Sequence, residues 1–164
     1  MKRAATVALA FAALVAAWVA ASGQVNQCSS GYVTFLSDSG TPVCIKFHTE
    51  EKGSWSTMRA LCQLDQTDLA ELRGDLHHQV YQYITLNKDL QDKDYWIGGT
   101  DEGHEGEWTW VSDDSAMEMG TPHWYPCDDQ PHVDTKSNYA CVKKHGYYFY
   151  SCHEDNQLYA ICQI

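Results

Sequence analysis

The stretch YWIGGT, residues 95–100, followed across an acidic turn by WTWV, residues 108–111, decides the architecture. Both runs are aromatic and β-branched, too short for helices and bounded by glycine and acidic residues, so they read as strands. Trp108 and Trp110 are two residues apart and share one face. No helix of any length is signalled after Asp94, whereas the residues before it carry helical periodicity.

Working back towards the N-terminus, Ser54 is a candidate helix cap before Trp55, Met58, Leu61 and Cys62, which fall on one face at 3.6-residue spacing. A second helix is expected after Asp75, read as its N-cap, with Leu76, Val80, Tyr83 and Ile84 on the buried stripe. Upstream, YVTFL (32–36), the turn DSG (38–40) and VCIKF (43–47) predict a β-hairpin.

Working forward, Val111 to Tyr139 has no clear periodicity and contains Pro122, Pro126, Pro131 and Trp124. A loop of that length inside a compact domain is usually functional or disordered. Disulfides and the aromatic anchor Trp124 favour an ordered one. YACVKK, a His145-Gly146 turn, YYFYSC and LYAICQ then form a terminal antiparallel group. Hairpin, two helices, then strands around one long loop describe a single α+β domain.

Residues 1–23 open with Lys2 and Arg3, continue as an uncharged Ala/Val/Leu run and end on small residues, the build of a secretory signal peptide leaving a domain at 24–164. The run is also long enough to serve as an uncleaved anchor. No other stretch is long and apolar enough to span a bilayer. Without Lys2 and Arg3, 9 basic residues face 22 acidic ones, a net charge of −13. Such a surface repels nucleic-acid backbones and anionic lipids and attracts cations. All seven cysteines follow the leader, and in an oxidising compartment they should be mostly disulfides with one left over. The count alone allows about 105 pairings. There is no Asn-x-Ser/Thr sequon.

The ordered set WIGGTDEGHEGEW, Trp124, QPH, NYAC, YSC and YAIC resembles the C-type lectin-like domain over residues 28–164. The resemblance implies two helices and two small antiparallel sheets supporting a long binding loop. It also implies disulfides Cys28–Cys44, Cys62–Cys162 and Cys141–Cys152, leaving Cys127 unpaired or free to bridge to another chain.

Sugar-binding members carry Glu-Pro-Asn or Gln-Pro-Asp in the loop, around a cis proline, and the outer residues share their oxygens between Ca²⁺ and a vicinal diol. Here the tripeptide is Gln130-Pro131-His132. Gln130 keeps a carbonyl oxygen and an NH₂. His132 offers no oxygen, and Ca²⁺ wants six to eight. The family's Trp-Asn-Asp cluster falls on Tyr147, Tyr148 and Phe149, so a second ligand set is missing. A cation would rest on Gln130 with Asp128, Asp129 or Asp134 recruited from the loop. Asp101 and Glu105 match the spacing of an auxiliary calcium site, with Asp134 as a substitute third acid.

The eight histidines lack an HExxH or finger spacing, and scattered surface positions account for them. Arg73-Gly74-Asp75 is a cell-adhesion tripeptide too short to carry weight. No nucleophile, base or phosphate-loop constellation appears, so no enzyme is expected. Two functions follow. The first is a secreted lectin, similar to invertebrate humoral C-type lectins, that binds glycans of microbial or self surfaces in innate defence. It would bind through Gln130, His132, Asp134 and Tyr148, with Tyr147 or Trp124 as further stacking rings, and with a galactose-type leaning from Gln130. Its candidate Ca²⁺ ligands are Asp101, Glu105, Asp129 and Gln130. The second is a calcium-independent lectin-like module that binds protein or assembles as a homodimer through Cys127.

Overall fold

The computed structural model describes residues 28–164, so the leader read at 1–23 lies outside the described residues. Strands β1 (Val33–Leu36) and β2 (Pro42–Gly53) form the expected antiparallel hairpin, with Val33 opposite Ile45 and Leu36 opposite Pro42. Helix α1 (Trp55–Leu64) begins where Ser54 Oγ accepts from the Thr57 backbone N–H, and it buries Trp55, Met58 and Cys62. Its Trp55 indole donates to the carbonyl of Ile97, which docks the helix on the sheet. A short strand β3 (Asp68–Leu69) precedes α2 (Asp75–Leu86) and a 3₁₀ turn at Lys88–Leu90. Then come β4 (Tyr95–Thr100), β5 (Thr109–Trp110), β6 (Tyr139–Val142), β7 (Phe149–Cys152) and β8 (Leu158–Gln163).

The two antiparallel halves are present as β1-β2-β8 and β5-β4-β6-β7. They are not separate sheets, because β4 and β8 pair in parallel at Tyr95–Tyr159 and Trp96–Ala160 and join them into one continuous path. Tyr95 to Gly99 are all buried, as a central strand covered on both faces requires. Gly98 and Gly99 are bare for a packing reason. A Cβ on the first would press on the Leu69 carbonyl, and one on the second would overlap Met117.

Three disulfides lie where the resemblance implies: Cys28–Cys44, Cys62–Cys162 and Cys141–Cys152. The second ties α1 to β8 across 100 residues of sequence, a loop closure worth roughly 4–5 kcal/mol in the chain-entropy account.

The start of α2 corrects one expectation. Asp75 is not the N-cap; it sits in the first turn, and Gly74 caps with φ of 49° and no side-chain bond. The cap is supplied from 37 residues away, by Asp38 Oδ1 accepting the Asp75 backbone N–H at 3.0 Å. Any Cβ on Gly74 would overlap that carboxylate. Arg73, the first residue of the adhesion-like triplet, is partly exposed but tied down by Glu71 at 2.6 Å, Asp113 at 2.8 Å and Ser115 at 2.7 Å.

Gly74→Ala should therefore lower stability by about 1–3 kcal/mol, from left-handed strain plus loss of the long-range cap. Urea unfolding checks this, and a change below about 0.5 kcal/mol would refute the account.

Candidate functional site

The long loop leaves β5 and returns at β6, and its first half is bound to the core. Trp124 is 1 % exposed, packs edge-on against Trp108 and Phe149, and donates its indole N–H to the Glu118 carbonyl at 3.1 Å. Around it the backbone zips to the start of β7: Phe149 N–H donates to the His123 carbonyl and Tyr125 N–H to the Phe149 carbonyl. The loop is ordered at its base, as the Trp124 anchor predicts.

Beyond this base lies the tripeptide, with a cis Gln130–Pro131 peptide. The half-buried Gln130 turns its Oε1 inward, where it accepts from Ser151 N–H at 2.7 Å and Ser151 Oγ at 3.0 Å. Ser151 Oγ in turn accepts from the His132 N–H at 2.8 Å. The one oxygen that Gln130 could give a metal is thus already doubly bonded. His132 Nε2 lies 3.0 Å from Gln130 Nε2 and 2.9 Å from the Asp128 carbonyl, so the ring closes the loop on itself. Asp129 is exposed at a φ of 50°. Asp134 Oδ1 accepts from the Lys136 and Ser137 backbones at 2.8 and 2.9 Å, and the Lys136 N–H holds its carboxyl below the usual range. No three His, Cys, Asp or Glu side chains converge on a metal position among the described residues. At the tripeptide the donors present do not fit Ca²⁺, a hard ion that needs several free oxygens.

The position after β4 fits better. Asp101 is 2 % exposed; its Oδ2 accepts from Gly106 N–H at 2.9 Å, while its Oδ1 is buried with no partner. The buried Oδ1 of Asn138 is also unpartnered, and Asn138 is bonded to this turn through its carbonyl, which accepts from the Asp101 N–H. Burial, then the charge of Asp134, holds the Asp101 carboxyl above its ordinary value. Loss of water and the charges of Asp101 and Asp134 raise the exposed Glu105 as well. Orphaned oxygens among mutually repelling acids suit a hard cation.

The aromatic platform differs from the one expected. Trp124 and Tyr147 are core residues, 1 % and 5 % exposed, and neither can stack on a sugar. Tyr148 stays half-buried and meets Tyr125 at 5.9 Å between ring centroids; Tyr125 in turn stacks on Tyr150 at 4.9 Å. Burial, Tyr125, Asp128 and Cys127 push the Tyr150 phenol up to about 12, which places this tyrosine ledge beside the acidic loop tip. A cavity of about 360 Å³ lined by Trp124, Tyr125, Asp128, Asp129 and Gln130 adjoins it, with the unpaired, exposed Cys127 on its wall.

Three further residues went unread in the sequence. Ser151 carries no motif signal beyond preceding Cys152, yet it organises the tripeptide. His77 and His123 are not surface histidines: each is 7 % exposed, and they meet in the interior. The signal for His77 was its place three residues before Val80 and seven before Ile84, on the apolar stripe of α2.

A sheet-borne long loop with these disulfides defines a domain of C-type lectin architecture, and the comparisons agree. The sequence profile of the Lectin C-type domain matches residues 51–164. Among solved structures, the mouse scavenger receptor C-type lectin carbohydrate-recognition domain superposes with a TM-score of 0.66 at 20 % identity, over 84 % of this chain and 95 % of that one. The C-type lectin CEL-I from Cucumaria echinata gives 0.66 at 20 % identity, over 84 % and 97 %. A calcium-independent type II antifreeze protein gives 0.65 at 18 % identity, over 84 % and 94 %. No curated protein sequence matches the chain. The chain belongs to the C-type lectin domain family, a non-enzymatic carbohydrate-binding fold.

Ser151→Ala removes one donor to Gln130 and the acceptor of the His132 N–H. It should cost about 1–3 kcal/mol in urea unfolding, the penalty of stranding part-buried polar groups. An unchanged midpoint would mean the inward amide contributes nothing to the fold.

Proposed function

We propose that the chain is a secreted lectin that binds glycans of microbial or self surfaces in innate defence, and that it does so without a cation at the tripeptide. The observation that supports this is the inward carbonyl of Gln130, bonded twice to Ser151, beside a half-exposed tyrosine ledge. Sugar rings have apolar faces that pack on aromatic rings, and hydroxyls that need partners. Tyr148 and Tyr125 supply the first. Asp128, Asp129, Asp134, His132 and the Gln130 NH₂ are placed to supply the second. The galactose-type leaning implied by Gln130 would act through that NH₂ and is the selectivity to test first.

A metal on this chain would sit at the auxiliary position, on the unpartnered buried oxygens of Asp101 and Asn138, with Glu105 and Asp134 near enough to add charge but not converging with Asp101 as a three-acid set. Ca²⁺ there would supply positive charge to oppose the crowded carboxylates. Its role would be to hold the turn after β4 rather than to bridge a sugar. Ca²⁺ should accordingly raise the melting temperature of wild type and not of Asp101→Asn; equal shifts in both would place the ion elsewhere.

Glycan binding with calcium and with chelator tests the main reading. Binding should persist in chelator and fall roughly 3- to 10-fold in Tyr148→Ala. Abolition by chelator would restore a metal-bridged mode, and absence of any glycan binding would leave a calcium-independent protein-binding module. The exposed thiol of Cys127 favours a second feature, a disulfide-linked homodimer whose paired sites add avidity. Nonreducing gels should show a dimer that Cys127→Ser abolishes; wild-type monomer with one free thiol would exclude it.

A further inference from the structure

Behind the tyrosine ledge, His77 of α2 and His123 of the loop base point their Nδ1 atoms at each other at 3.0 Å. The other nitrogen of each ring is already assigned. His77 Nε2 lies 2.7 Å from the Tyr147 carbonyl, which only accepts, so that nitrogen carries a hydrogen. His123 Nε2 lies 2.6 Å from Glu118 Oε2, and a carboxylate also only accepts. With both outer nitrogens donating, the two Nδ1 atoms share one hydrogen between them. The pair thus holds three N–H hydrogens on two rings, a single positive charge set against Glu118. Were the hydrogen on His123 Nε2 passed to the carboxylate, two would remain on the rings and the third would sit on Glu118, so the ring count reports where that proton lies. Glu118 meets the outer nitrogen of His123, and no third His, Cys, Asp or Glu converges with the two Nδ1 atoms among the described residues, which favours a proton over a metal at the centre.

We propose that His77 and His123 form a one-proton latch that fastens α2 to the base of the binding loop, and that a second proton opens it. The inference rests on the tyrosine ledge being the ligand surface. A second proton would place two Nδ1–H groups face to face on two cationic rings in the interior, with both acceptors gone. The rings would have to part. His123 belongs to the segment whose backbone zips to Phe149, and Tyr125 and Tyr148 flank that zipper. Parting the rings therefore displaces the ledge.

The surroundings set the direction. From the loop, Glu118 faces the pair; from α2, Asp75, His78 and Tyr81 line the same cavity of about 510 Å³; from the approach to β7 come Tyr147 and Tyr148. Burial lowers the His77 value from 6.5 to about 4; the Tyr147 carbonyl opposes this, and His123 and His78 add to it. The folded protein thus keeps His77 neutral where the unfolded chain would take a proton. Its contribution to stability is full above pH 6.5, declines as pH falls from there, and is gone below about 4.

Imidazole ¹⁵N NMR and tryptophan fluorescence of the oxidised protein, from pH 7.5 to 3.5, test the latch. Three N–H hydrogens on the pair at neutral pH, and a fluorescence change between pH 5 and 4, roughly, are expected from a lowered His77. His77→Gln keeps a donor for Tyr147 and cannot titrate, so its acid transition should move down by about one pH unit or more. Glu118→Gln, a surface change that spares the fold, should let the shared proton leave at lower pH. Unchanged transitions in both variants, or stoichiometric Zn²⁺ binding lost in His77→Gln, would overturn the shared-proton latch. Glycan binding read separately distinguishes the two ideas. Binding at pH 7.5 that persists undiminished at pH 4 overturns the latch; an intact acid transition with no glycan binding at any pH overturns the ledge and leaves the latch standing.

Discussion

The site depends on the burial of Phe149 against Trp124 and Trp110. Phe149 is 1 % exposed and occupies the position at which the family resemblance would put a calcium-binding acid. An acid there would face outward to an ion. A phenylalanine is drawn inward, and truncating so buried a ring typically costs about 3–5 kcal/mol. The loop base is therefore fastened to the core by aromatic packing and a two-bond backbone zipper, with no ion needed to hold it. Once that strand is pulled in, Ser151 two residues on faces the tripeptide and takes the Gln130 carbonyl. The Phe149 ring and, through Ser151, the Gln130 carbonyl are thus both committed to β7.

The acidic charge of the chain acquires a local meaning from this. With no metal-bridging geometry at the tripeptide, Asp128 and Asp129 are left as exposed acceptors at positive φ on the rim of an aromatic cavity. Acceptors beside rings read hydroxyls on an apolar face, which is sugar chemistry without Lewis acid help. The orphaned oxygens of Asp101 and Asn138 lie instead under the turn after β4. The orphaned oxygens and the aromatic cavity are thus separate places, with Asp134 reaching toward both through His132 and Asp101.

What the sequence disclosed, and what it hid, follows the range of each interaction. The cap of α1 was legible because Ser54 and Thr57 are three residues apart. The cap of α2 was not, because its acceptor is Asp38, and nothing local distinguishes Asp75 as cap from Asp75 as first-turn acid. The disulfide scheme came through the family resemblance, since the cysteines alone leave about 105 pairings open. Tyr147 and Trp124 look like stacking rings in a polar loop, but burial is a property of the partners, and theirs are Tyr81 and Phe149. The inward turn of Gln130 was invisible in the same way, since its cause sits 21 residues later at Ser151.

The loop ends up pinned on either side of the tyrosine ledge by polar contacts of opposite character. On one side Gln130 and Ser151 are uncharged at any physiological pH, so their bonds are indifferent to acid. On the other, Glu118, His123 and His77 are held together by hydrogen bonds that depend on how many protons the three share. Acid therefore acts on the His77–His123 edge while leaving the Gln130–Ser151 bonds as they are. The tripeptide keeps its place against β7 while the loop base moves relative to α2, which changes the spacing of Tyr125 and Tyr148 rather than unfolding the loop. A surface that reads sugars by the placement of two rings is sensitive to such a shift, because stacking depends on ring position within fractions of an ångström and carries no long-range attraction to compensate.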